Sequence, residues 1–121
     1  MTNRSVTTTK TDAKKTILFV AEAVTLAHFG RMMTLARSLD PEQYNVIVAS
    51  DPRYLGLEQT LTFGFEPIWT IPGEQFAQAL EKGKAVYSTN TLSRYIEDDV
   101  KVLKKIKPDL VIGDFRLSLA I

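Results

Sequence analysis

Few side chains in this chain can move a proton near neutral pH: it carries one histidine, His28, and no cysteine. An imidazole held by a carboxylate is a general base. The carboxylate fixes the ring tautomer and stabilises the imidazolium formed when the other nitrogen takes a proton. By chain position the matching carboxylate is Asp114, at the end of Leu110-Val111-Ile112-Gly113-Asp114. Without a cysteine or a Gly-x-Ser-x-Gly turn, acyl-enzyme chemistry is not supported, so the proton would come from a substrate hydroxyl. A structural reading stands beside the chemical one. His28 can hydrogen-bond to backbone at a helix start, and Asp114 can cap a helix opening at Phe115-Arg116. For Asp114 the two roles are compatible. Glu22, Thr25 and Arg116 are candidates for contacting an acceptor, or are simply exposed.

The elements that must position these residues follow from the hydropathy pattern. Thr16 to Val20 is a continuous apolar, β-branched run, as in a strand buried on both faces of a parallel sheet. After a loop over Ala21 to Ala27, apolar residues recur at Phe29, Met32, Met33, Ala36 and Leu39, which is helical spacing ended by Asp40-Pro41. Tyr44 to Ala49 is a second buried strand. Asp51-Pro52 predicts a helix start with Asp51 as N-cap, the helix covering Tyr54 to Phe63 and closing at Gly64. Phe65 to Ile71 predicts a third strand, at the sheet edge because Pro67 cannot donate to a ladder. A short helix over Gln75 to Glu81 ends at Gly83. A longer one over Thr91 to Lys107 presents Leu92, Tyr95, Ile96, Val100, Leu103 and Ile106 on one face, and Arg94, Glu97, Asp98, Lys101, Lys104 and Lys105 mostly on the other. Pro108 stops that helix, and Leu110 to Ile112 is a fourth buried strand.

The order β-α-β-α-β-α-α-β with apolar strands predicts an α/β fold, a Rossmann-like doubly wound parallel sheet of about four strands in the order 3-2-1-4. In that order strands one and four are neighbours and the connection direction reverses between them. The reversal opens a crevice beyond the carboxyl ends of the strands. His28 follows strand one and Asp114 follows strand four, so topology alone brings them to one place.

Composition bounds the rest. The chain has 121 residues, 45% hydrophobic and 24% charged, with 15 Lys and Arg against 14 Asp and Glu for a net charge of +1. That length holds one small core, not two packed domains of about 100–150 residues each. The near-neutral balance argues against a nucleic-acid partner. One histidine and no cysteine leave few ways to build a metal site, so none is expected. The loop from Ala21 to Gly30 lacks both G-x-G-x-x-G and the P-loop pattern, so no dinucleotide or triphosphate cofactor is expected there, and Gly83-Lys84 is a helix C-terminus. Trp69, Phe63 and Phe65 are expected to pack rather than to form a sugar platform. Residues 1–15 are polar and rich in Thr and Lys, which predicts a disordered tail ahead of a domain over residues 16–121. The only apolar run after it, Ile17 to Ala21, is too short for a signal peptide or a membrane span, and a cytoplasmic protein is expected.

Four segments carry a resemblance: Ile17-Leu18-Phe19-Val20, His28 opening a helix that continues Thr34-Leu35-Ala36-Arg37-Ser38-Leu39, Tyr44 to Ser50, and Pro108-Asp109-Leu110-Val111-Ile112-Gly113-Asp114. From about Lys15 to Ile121 they resemble the N-terminal, acceptor-side domain of GT-B glycosyltransferases, most closely the nucleotide-diphospho-sugar-dependent enzymes that glycosylate natural products, lipids and flavonoids. The resemblance implies a UDP-glycosyltransferase-like enzyme that inverts the sugar's configuration, with His28 deprotonating a hydroxyl acceptor and Asp114 paired to it. It also implies that the nucleotide-sugar donor binds a C-terminal domain these residues do not include, leaving the fragment alone inactive. The family's common Gly-His-x-x-Pro stands here as Ala27-His28-Phe29-Gly30-Arg31. Another class of function competes with it: a non-catalytic binding or scaffold subunit that docks a separate catalytic chain through the apolar finish at Leu117, Leu119 and Ile121. A flavodoxin-like or receiver-like module fits less well, because no acidic cluster follows the first strand. Four parallel strands with an open edge predict self-association of the 121 residues.

Overall fold

A computed structural model describes residues 14–57 and 61–121. Its sheet has four parallel strands: β1 (Lys15–Ala21), β2 (Tyr44–Ser50), β3 (Gly64–Pro67) and β4 (Leu110–Asp114), in the order β3-β2-β1-β4. The predicted order 3-2-1-4 is therefore the one found. The register sets Phe19 beside Val48 and Ile112, and Ala21 beside Asp114. The tail predicted over residues 1–15 lies outside the described residues up to Ala13. Lys15 already belongs to β1, and Lys14 Nζ donates to Pro41 O at 2.9 Å.

The central strand owes its apolar run to having two covered faces. Ile17, Phe19 and Ala21 pack with Phe29, Met32, Met33 and Ala36 of α1 (Leu26–Ser38). Leu18 and Val20 pack on the other side with Ile68 and with Val102, Leu103 and Ile106 of α3 (Thr89–Ile106). Helices thus cover both faces, as a doubly wound sheet requires. A third cluster, Val24, Ile71 and Tyr95 with Trp69, Phe76, Val86 and Tyr87, closes the carboxyl end of the sheet beneath α2 (Gly73–Glu81). Phe63 and Phe65 pack against the α1-side core and Trp69 against the third cluster, as expected. Gly83 ends α2 with φ of 65°, and Lys84 N reaches back to Ala79 O at 2.9 Å, the expected glycine-closed helix end.

Five predicted elements differ. β4, expected as a buried strand, lies at the sheet edge, with Leu110 51% exposed and Val111 and Ile112 only partly buried, because no strand among the described residues covers its far side. The helix expected over Tyr54 to Phe63 is a 3₁₀ helix over Pro52–Leu57, and residues 58–60 lie outside the description. Asp51 acts at its start, but Oδ1 accepts from Arg53 N at 3.0 Å, an Asx turn that leads into a tight helix. The strand expected over Phe65 to Ile71 stops at Pro67. Beyond it successive backbone N–H groups find other partners: Ile68 donates to Ser50 O, Trp69 to Asp98 Oδ2, Thr70 to Asp51 Oδ2 and Ile71 to the Tyr95 hydroxyl. Long-range side chains therefore hold an extended segment that no ladder continues. On α3 the buried positions are Tyr95, Asp99 and Val102, while Val100, expected inward, is 39% exposed. The finish after β4, expected to be a helix capped by Asp114, is a 3₁₀ turn over Leu117–Ala120 with no side-chain cap. Among the described residues no helix is long and apolar enough to cross a membrane.

Candidate active site

The crevice lies where β1 and β4 end side by side, pinned by Glu22 N donating to Asp114 O at 3.1 Å. His28 sits in the first turn of α1 and Asp114 is the last residue of β4. His28 Nδ1 is 3.2 Å from Asp114 Oδ1, with side chains 19% and 13% exposed. The two side chains that topology selected do meet. The carboxylate faces His28 and Arg31 instead of capping the following turn, so the helix-cap reading of Asp114 does not hold.

Two further residues shape the pair. Phe115 takes φ of 57°, a left-handed conformation uncommon for a non-glycine residue, and this directs its ring over the histidine. The two rings stack with centroids 5.1 Å apart and planes 6° apart. Arg31, one helical turn beyond His28, donates from Nε to Asp114 Oδ2 at 2.7 Å and from Nη2 to Asp114 Oδ1 at 2.9 Å. Hydrogen bonding and charge from Arg31, opposed by partial burial and aided by His28, hold the Asp114 carboxyl below the usual carboxylate range. It is therefore an obligatory acceptor at neutral pH. Sequence reasoning had Arg31 only as a departure from a family pattern. Its i, i+3 spacing from His28 was the signal that both lie on one helix face.

Glu22 and Arg116, expected as acceptor contacts, have a different place. Glu22 is 0% and Arg116 4% exposed. Glu22 Oε2 accepts from the hydroxyls of Tyr87 and Tyr95 at 2.6 and 2.7 Å, and Oε1 from Thr70 Oγ1 at 2.7 Å. Arg116 Nη1 is 3.4 Å from Glu22 Oε1 and donates to Trp69 O at 3.1 Å, while Nε donates to Asp99 Oδ1 at 3.1 Å. Its Nη2 lies 3.0 Å from the same oxygen, in ion-pair contact but off line for a hydrogen bond. Ser118 Oγ donates to Asp99 Oδ2, and the Tyr95 ring lies against the guanidinium. Burial, with hydrogen bonds to Glu22, raises both tyrosine pKa values, so both remain neutral donors. This network ties the loop after β1 to the loop after β4, and so fixes the two ends of the crevice. Thr25 is half-buried at the N-cap of α1, with no side-chain capping bond. Among the described residues no group of three or more His, Asp or Glu side chains is placed to hold a metal ion.

Fold and site together define a class: a parallel α/β domain carrying an imidazole–carboxylate pair at the point where its connections reverse. Curated relatives narrow it. The chain is 51% identical over 108 residues to a PGL/p-HBAD biosynthesis rhamnosyltransferase of Mycobacterium tuberculosis, a match covering 89% of this chain and 24% of that protein. It is 48% identical over 108 residues to a PGL/p-HBAD biosynthesis glycosyltransferase of the same organism, covering 25% of that protein. It is also 48% identical to an inactive PGL/p-HBAD biosynthesis glycosyltransferase of Mycobacterium bovis, covering 30% of it. The matched stretch is thus related to glycosyltransferases, and the chain spans about a quarter of the length of these relatives. No protein-family profile and no solved structure matches.

Proposed function

We propose that this chain is the acceptor-side part of an inverting GT-B glycosyltransferase, working in the cytoplasm on a hydroxyl acceptor and a nucleotide-diphosphate sugar. The observation that carries this reading is the meeting of His28 and Asp114 at 3.2 Å from elements 86 residues apart in sequence. The resemblance to glycosyltransferases over 108 residues supports it.

In this mechanism Asp114 accepts Nδ1–H of His28 and leaves the Nε2 lone pair to face the acceptor. The acceptor hydroxyl gives its proton to Nε2 as its oxygen attacks the anomeric carbon from the side opposite the leaving group. A new carbon–oxygen bond forms, the bond to the diphosphate breaks, the nucleoside diphosphate departs, and the configuration inverts. The imidazolium is stabilised by the carboxylate beside it. The donor would be held by parts of such an enzyme that these 121 residues do not contain. Thr25, half-buried at the N-cap of the helix that carries His28, remains a candidate acceptor contact. Glu22 and Arg116 act instead by fixing the crevice walls.

The test is His28→Ala in a full-length glycosyltransferase carrying this stretch. Turnover should fall by about 10²–10⁴-fold, the usual contribution of a positioned general base. Unchanged sugar transfer with the fold retained would remove the base assignment.

A further inference from the structure

His28 Nδ1 faces two partners that demand opposite things of it. Asp114 Oδ1, at 3.2 Å, can only accept a hydrogen bond, because the carboxyl is held ionised. Arg31 Nη2, at 2.9 Å, can only donate, because a guanidinium has no lone pair to offer. A single ring nitrogen cannot serve both. If Nδ1 carries the proton, it donates to Asp114 and Nε2 is free to act as a base. If Nδ1 carries the lone pair, it accepts from Arg31, the proton sits on Nε2, and the nitrogen that must act as base is blocked.

The geometry favours the second arrangement. Arg31 Nη2 has two hydrogens and two acceptors in reach, Asp114 Oδ1 at 2.9 Å and His28 Nδ1 at 2.9 Å, while Nε occupies Asp114 Oδ2 at 2.7 Å. Both Nη2 hydrogens then have an acceptor and Nδ1 has a donor, the arginine contact is the shorter of the two, and the facing acceptors Nδ1 and Asp114 Oδ1 at 3.2 Å are bridged by the same Nη2 group. Asp114 from β4 and Arg31 from α1 are the charged groups the structure sets against the ring, and Phe115 adds an uncharged stacked face.

We propose that Arg31 is a positioning residue that gates the tautomer of His28. With its guanidinium on Nδ1 the ring rests as the Nε2–H form and is held back from base chemistry. When Arg31 leaves, the Nε2 proton passes to solvent, a solvent proton settles on Nδ1, and Asp114 takes that hydrogen bond. No net charge moves on the ring. The Arg31 side chain is 59% exposed, so leaving needs only rotation about its own torsions. The inference rests on the reading of His28 as the base, and it gives Arg31 the role of setting how much of the protein is ready to react.

His28 is the sole histidine of the sequence, so its ring nitrogens can be followed without ambiguity. The experiment is nitrogen-15 NMR of the imidazole in the full 121-residue chain, at a pH where the ring is neutral, for the native sequence and for Arg31→Met. The native chain is expected to carry its proton on Nε2, and Arg31→Met to carry it on Nδ1. A native ring already protonated on Nδ1 overturns the proposal without recourse to any variant, and so does an Arg31→Met ring that keeps the native tautomer. The outcome is independent of sugar transfer. If His28→Ala leaves transfer intact, the base reading fails while the tautomer result stands; if the tautomer does not respond to Arg31, the gate fails while the base reading stands.

Discussion

At the scale of single residues, Glu22 and Arg116 show where reading a sequence stops. Their positions, just after β1 and just after β4, place them at the crevice, and that much follows from the topology. Their burial does not, because it depends on Asp99, Tyr87 and Tyr95, which arrive from α3 and the segment before it. A sequence shows one arginine and several acids without showing that they share one dry site. Asp99 was hidden for a related reason: it lies among alternating charges on α3, where a carboxylate is ordinarily solvated, yet its side chain is 5% exposed. His28 and Asp114 were legible because so few groups could compete for the role. The network also sets an energetic expectation. Replacing Arg116 by Met would leave Glu22 and Asp99 buried without their cation, and removing one partner of a buried ion pair costs about 3–5 kcal/mol. Chemical denaturation of Arg116→Met should show a loss of that order. A change below about 1 kcal/mol, the range of exposed ion pairs, would mean that solvent reaches the network.

At the scale of elements, the apolar runs of β1 and β2 announced strands packed on both faces, whereas the equally apolar run of β4 forms an edge strand with Leu110 51% exposed, a difference that hydropathy alone does not carry. Segments held by distant side chains are the ones whose hydropathy does not reveal their structure. Arg53 donates to Thr70 O and Ile71 O, and Asp98 accepts from Trp69 N, so the stretch after Pro67 keeps strand-like hydropathy without strand pairing. The observed start of α3 at Thr89 lies two residues before the expected Thr91, because the polar run Ser88-Thr89-Asn90-Thr91 has loop-like composition and its capping bond is not visible in hydropathy. Ser88 Oγ accepts from Thr91 N at 3.1 Å and satisfies a helix-end donor that would otherwise face water. Because α3 supplies Tyr95 and Asp99 to the buried network, its first turn supports the crevice wall as well as the helix. Ser88→Ala should destabilise the chain by about 1 kcal/mol in a denaturant titration, whereas Ser88→Asp should retain most of the native stability. Equal stability of native chain and Ala variant would show that the hydroxyl does not cap.

At the scale of the whole molecule, the two sheet edges are unequal. β3 is four residues long, ends in a proline, and has Glu66 ion-paired to Lys105 of α3 at 2.9 Å, features that discourage pairing with another chain. β4 is bonded to β1 on one side, and no strand among the described residues pairs with the other. Beside it runs a groove of about 520 Å³ lined by Leu103, Val111, Gly113, Leu117 and Leu119, and Leu110, Phe115, Leu117 and Ile121 are all at least 39% exposed. An unpaired strand next to exposed apolar side chains is a template for association. The 121-residue chain should therefore self-associate through the β4 side, with sedimentation coefficients rising with concentration. Leu117→Glu, which sets a charge in that groove without touching the ladder or the His28–Asp114 pair, should shift the distribution toward monomer. A native chain that sediments as a single monomeric species at high concentration would show that this side is not adhesive. Association that survives Leu117→Glu unchanged would assign it to the β3 edge or another surface.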